Sequence, residues 1–147
     1  MGEIREALAE DFPKLRDIFA ESRRQHFFWL EERQIVLEDF DRLTHDERIW
    51  LYQDENGEPI GFISVYEPEN FIHLLFIAND WQGHGIATQL LQFLVAKGPV
   101  DYTLKCVAKN ETALTFYQKM NFKVIGEGMD PLEGKYYELF LKGRGES

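Results

Sequence analysis

The segment NFIHLLFI, Asn70 to Ile77, runs within a few residues into WQGHGIATQLL, and this succession constrains the chain more than any other. So nearly continuous an apolar run predicts a strand with both faces covered. Gly83, Gly85 and Ala87 then crowd into five positions. They open a helical pattern in which Ile86, Leu90, Leu91 and Leu94 form one stripe, and Gly98-Pro99 ends it. YTLKCV follows as a second strand. A strand, a glycine-rich turn, a helix and another strand call for helices layered on a sheet.

The remaining elements fit one mixed α/β domain spanning 1–147, a mixed sheet flanked by helices. Ile4 marks an opening strand. Leu8, Phe12, Leu15, Ile18 and Phe19 recur at helical spacing, and Pro13 falls in the first turn, where its missing N–H costs nothing. Val36, Phe40 and Leu43 predict a shorter second helix. RIWLY and IGFISVY are strands joined through Asn56-Gly57, a strong hairpin signal. NETALTFYQKM is a helix with Ala113, Phe116, Tyr117 and Met120 on one face. FKVIGEGM, the turn DPLEG and YYELFLK close the chain as a hairpin, whose Tyr136 and Phe140 look exposed; the chain reads as a monomer or homodimer.

The 147 residues carry a formal charge of -10, which argues against a nucleic-acid partner, since phosphate binding needs a basic face. The opening MGEIREALAEDF is charged and reads as no signal peptide, and no apolar run is long enough to span a bilayer. The single cysteine, Cys106, excludes an internal disulfide and suits a reducing cytoplasm. Cys106 sits within a strand pattern and is expected to be buried; no metal-ligand spacing is present.

A turn of small residues entering a helix leaves several backbone N–H groups unpaired, with the helix dipole adding positive charge. That makes an anion site, most naturally for phosphate or pyrophosphate; a tight turn that needs glycine only for its geometry is the plain alternative. A P-loop requires Gly-Lys-Ser/Thr, and no lysine follows these glycines until Lys97. The dinucleotide fingerprint requires a third glycine where Thr88 stands, and the following strand offers only Asp101, at its start.

Gln82-Gly83-His84-Gly85-Ile86-Ala87 matches a third pattern, Gln/Arg-x-x-Gly-x-Gly/Ala. It resembles the acetyl-CoA pyrophosphate loop of the GCN5-related N-acetyltransferases (GNAT). CVAKNETALTFYQKMNFKVIGEG is similar to that family's later segment, Asn-x-x-Ala-x-x-Phe-Tyr, at the usual spacing from the loop. IREALAEDFPKLRDIFAES resembles its opening strand and helix, so the likeness covers nearly the whole chain.

The resemblance implies an acyl-CoA N-acyltransferase fold with splayed central strands. It implies direct acetyl transfer from acetyl-CoA to a primary amine through a tetrahedral intermediate. Gln82, Gly83, His84, Gly85, Ile86, Ala87 and Thr88 would meet the pyrophosphate. Exposed backbone at Leu75, Phe76 and Ile77 would pair with the pantetheine arm, and the N–H of Phe76 or Ile77 would face the oxyanion. Asn110 would cap its helix and touch the pantetheine, with Phe116 packing nearby, and Tyr117 would protonate the departing thiolate.

Many members carry a carboxylate on the strand before the loop, where this chain has Phe71 and His73. His73, expected on one face with Phe71 and Leu75, is one candidate base. Glu69 is another, and a water chain is a third. The acceptor would enter beside His26, Phe27, Phe28, Trp29, Glu31, Glu32, Asp39 and Asp41, whose aromatic and acidic character suits a cationic amine. A metabolite amine, a polyamine, an aminoglycoside and a protein amine all remain open. Two other readings stand beside it: a CoA-binding sensor without useful catalysis, and a dinucleotide-binding domain.

Overall fold

The computed structural model describes residues 2–26 and 39–143, the side chains of 25, 26 and 39 excepted. Its elements are β1 (Glu3–Glu6), α1 (Phe12–His26), α2 (Asp39–Leu43), β2 (Arg48–Gln53), β3 (Pro59–Tyr66), β4 (Phe71–Ile77), α3 (Ile86–Val95), β5 (Tyr102–Val107), α4 (Glu111–Lys119), β6 (Lys123–Asp130) and β7 (Gly134–Leu141). The seven strands among the described residues form one sheet in the order β1-β2-β3-β4-β5-β7-β6. Every neighbouring pair is antiparallel except β4 and β5, the pair joined through α3. This is the mixed sheet flanked by helices that the sequence predicts.

Local chemistry explains the joints. The Asp54 carboxylate accepts from the N–H of Asn56 (2.8 Å) and Glu58 (3.0 Å), closing the β2–β3 turn, while Gly57 takes φ +81°. Arg16 grips Asp41 with two bonds of 2.8 and 2.7 Å, fixing α2 to α1. Val36 lies outside the described residues.

The core lies on both faces of the sheet. Leu15, Ile18 and Phe19 of α1 and Phe40 of α2 bury against Leu51, Phe62 and Leu74. On the other face, Ile86, Leu90, Leu91 and Leu94 of α3 bury against Ile63, Ile72, Leu104 and Leu139. At about 1.5–3 kcal/mol for each large apolar side chain buried, these two layers dominate the stabilisation. Among the described residues no helix is long and apolar enough to cross a membrane.

Strand β4 is covered on both faces at Ile72 and Leu74, but its alternation is interrupted. Val65 faces Ile72 while Ser64 faces Leu74, so His73 is an extra residue in β4, a β-bulge. The fully buried Ser64 hydroxyl accepts from the Leu74 N–H at 3.1 Å, replacing a ladder bond. Beyond the bulge Leu74 and Phe76 pack on the α1 side and Leu75 and Ile77 on the α3 side. Ile72, three residues before Leu75, shares its side. The single alternating face expected for Phe71, His73 and Leu75 is therefore broken at His73.

Candidate active site

Strands β4 and β5 pair only at Phe71–Thr103 and Ile72–Leu104. From His73 onward they diverge. The opening holds two cavities that share Leu75, Phe76, Asn110, Ala113 and Tyr117 in their walls.

One cavity, of about 370 Å³, lies under the glycine-rich loop. Its wall includes Leu75, Phe76 and Ile77 of β4, the loop residues Gln82, Gly83 and Gly85, Ile86, Ala87 and Thr88 of α3, and Asn110, Phe116 and Tyr117. Gly83 and Gly85 take φ of +83° and +77°, a region open to glycine at little cost, and a Cβ on either would meet no atom of the described residues within 4 Å. The conformation demands glycine, and the space above it stays open. The first three N–H groups of α3, from Ile86, Ala87 and Thr88, have no acceptor within the helix. The Gln82 amide donates to the Ile77 carbonyl at 3.2 Å, bracing the loop against the end of β4.

Helix α4 forms the opposite wall. Asn110 caps it, accepting from the Ala113 N–H at 3.2 Å. None of its residues is fully buried, because the face carrying Ala113, Phe116 and Tyr117 borders the cavities. Tyr117 packs edge-on against Phe116 and Phe122, with centroids 5.3 and 5.4 Å away. Burial, with the Cys106 thiol adding to it, holds the Tyr117 phenol well above its ordinary range. It is therefore an O–H donor at neutral pH. Cys106 is buried as expected, and burial pushes its thiol up to about 11, far from a reactive thiolate.

The second cavity, of about 440 Å³, lies on the other side of this junction. His73 lines it, as do Asp130 and Glu133 at the β6–β7 turn, Arg23 of α1 and Lys105 of β5. His73 Nδ1 meets Glu47 Oε2 at 2.5 Å, and Glu47 is only 8% exposed. Burial pushes the Glu133 carboxyl up, against the pull of the Arg23 guanidinium. Backbone donors from Glu133 and Leu132, both at 2.8 Å, hold Asp130 low. Sequence reasoning missed Glu47 and Glu133. One stands in a loop 26 residues from its partner, and the other hides in what reads as a plain turn.

Several expected residues stand elsewhere. His84 is exposed beside Trp81, at 5.4 Å between centroids, and is the one member of the predicted cofactor set outside the cavity wall. Glu69 is exposed and lines neither cavity. Asp41 is held by Arg16 rather than turned toward an acceptor, and the guanidinium holds its carboxyl low. Phe27, Phe28, Trp29, Glu31 and Glu32 lie outside the described residues, as do the side chains of His26 and Asp39. Tyr136 and Phe140 are half-buried; the exposed apolar side chains of the closing hairpin are Val124, Ile125, Met129 and Leu132.

Residues 3–122 match the sequence model of the Acetyltransferase (GNAT) family. The chain belongs to this family. A peptidyl-lysine N-acetyltransferase, YjaB of Escherichia coli K12, is 31% identical over 115 residues, covering 78% of this chain and 76% of its own. A second E. coli peptidyl-lysine N-acetyltransferase, YiaC, is 26% identical over 128 residues, covering 83% and 84%. The solution structure of apo YjaB superposes with a TM-score of 0.77 at 25% identity, covering 99% of each chain. The PaiA N-acetyltransferase of Thermoplasma acidophilum, solved with coenzyme A, shares the fold at a TM-score of 0.78 and 20% identity, covering 97% of this chain and 99% of that one. This GNAT domain is thus an acetyl-CoA-dependent N-acetyltransferase acting on an amine.

Proposed function

We propose that this enzyme acetylates lysine side chains of peptides or proteins, with His73 as general base and Tyr117 as general acid. The observation that carries this reading is the meeting of the two cavities at Leu75, Phe76, Asn110 and Tyr117, with His73 confined to the second. The loop cavity takes acetyl-CoA, whose thioester supplies an activated acetyl group. The His73 cavity takes the amine. Its carboxylates Asp130 and Glu133 draw an alkylammonium, and Met129 and Tyr136 in the same wall suit its methylene chain. The two E. coli relatives named as peptidyl-lysine acetyltransferases favour a lysine over a free polyamine. The lone buried thiol and the acidic surface suit the cytoplasm.

Each residue then has a stated task. His73 takes a proton from the incoming ammonium so that its nitrogen lone pair can attack the thioester carbonyl. Backbone N–H of Phe76 or Ile77 faces the oxygen that gains charge. As the C–S bond breaks, the Tyr117 hydroxyl donates to the sulfur. With its phenol held high by burial, Tyr117 acts more through a strong hydrogen bond than through early loss of its proton.

The test is thiol release from acetyl-CoA against lysine peptides, polyamines and aminoglycosides. Lysine peptides should give the highest kcat/KM; a polyamine doing so would overturn the peptide assignment. Tyr117→Phe should lower kcat by about 100-fold or more and His73→Gln by a similar factor. Glu69→Gln should leave it unchanged.

A further inference from the structure

We infer that Glu47 is the positioning residue of the base, fixing His73 in the tautomer that leaves Nε2 free to accept the amine's proton. This inference rests on the reading of His73 as base. An ionised carboxylate can only accept a hydrogen bond, so the contact between Glu47 Oε2 and His73 Nδ1 places the ring proton on Nδ1. The lone pair is then on Nε2, the other ring nitrogen of a side chain that lines the acceptor cavity. When Nε2 takes the proton, the imidazolium forms against a carboxylate already in contact.

The main chain that carries each partner is held in place. The Glu47 N–H donates to the Thr44 carbonyl at 3.0 Å, and Thr44 ties back to the Phe40 carbonyl through its N–H (3.0 Å) and hydroxyl (2.8 Å). His73 is fixed by the bulge that Ser64 stabilises. The second Glu47 oxygen, Oε1, is buried with no hydrogen-bond partner among the described residues. A carboxylate so placed is costly to the fold, and its close partner among the described residues is His73. Asp130, Glu133, Arg23 and Lys105 line the same cavity from β6, the β6–β7 turn, α1 and β5. Of these charged groups and Glu47, only Glu47 has a hydrogen bond to the ring.

The test pairs ¹⁵N NMR of the histidine rings with steady-state kinetics on wild type, Glu47→Gln, Glu47→Asp and His73→Gln. In the wild type His73 should be the Nδ1-protonated tautomer. A glutamine amide can donate to Nδ1 and move the proton to Nε2. Glu47→Gln should therefore shift the tautomer and lower kcat by about tenfold to hundredfold, with the KM for acetyl-CoA unchanged. Glu47→Asp should recover most of that loss. Wild-type kcat in Glu47→Gln, with His73→Gln impaired as expected, overturns the role of Glu47 and leaves the base in place. Wild-type kcat in His73→Gln overturns both. An Nε2-protonated ring in the wild type overturns the positioning role irrespective of any variant's folding.

Discussion

Strands β4 and β5 touch at one end and part at the other, and the two ends are made of different materials. At the paired end Ile72 and Leu104 are each 2% exposed and sit in the cluster that α3 seals. At the parted end Leu75, Phe76 and Ile77 are half-buried, and the α4 residues facing them are half-buried too. Helices α3 and α4 both present an apolar stripe to the sheet. One stripe fills core and the other borders cavity. Periodicity alone cannot tell these apart, because the outcome depends on where two strands cease to pair.

The contrast predicts a split between stability and catalysis. Ile72→Ala should cost about 2–5 kcal/mol, read as a lower denaturation midpoint, with KM values nearly intact in the folded fraction. Leu75→Ala should cost much less stability and more of kcat/KM. Equal losses of stability at the two positions would break the comparison.

The next largest effect belongs to the loop. Gly85→Ala forces a side chain into φ +77°, a strain of about 1–2 kcal/mol. Its new methyl would meet no atom of the described residues and would face whatever occupies the cavity. The KM for acetyl-CoA should therefore rise about tenfold or more, beyond what the strain alone explains. The amine's KM should not move. An unchanged acetyl-CoA KM would mean that the glycines serve the turn and not the ligand.

Ser64→Ala tests the hinge between the two ends. It leaves the buried Leu74 N–H without its acceptor, at a cost of about 1–2 kcal/mol. Because that bond stabilises the bulge carrying His73, kcat should fall as well. Loss of stability with full kcat would separate the bulge from the chemistry.

The residues whose placement was legible in the sequence are those set by a local pattern. The loop from Gln82 to Thr88 and the cap at Asn110 each declare themselves within a few positions, and the structure places them at one cavity with His84 outside it. The fold was legible for the same reason, since helical and strand periods are local. The bulge at His73 was not, because it depends on Ser64 on the neighbouring strand. Glu47 was hidden because a loop carboxylate has no period and reaches His73 only through tertiary structure. DPLEG was read correctly as a turn, yet turn chemistry says nothing of the burial of Glu133.

Glu133 gives the smallest and most specific prediction, because it sets the parted end against stability directly. Burial raises its folded-state carboxyl above the ordinary value of 4.5. Below that pH the folded and unfolded chains both hold the proton, and the fold has its full stability. As pH rises the unfolded chain releases its proton first, so stability is lost progressively until the pH passes the raised folded value. Glu133→Gln removes this titration. The stability of the variant relative to wild type should therefore grow as pH rises from about 4.5 and level off above the raised folded value, read from denaturant midpoints at a series of pH values. The same variant should raise the KM for the amine while leaving that for acetyl-CoA alone. A stability difference that stays flat across this range would show that the carboxyl ionises without penalty. The second cavity would then hold no charge at the expense of the fold.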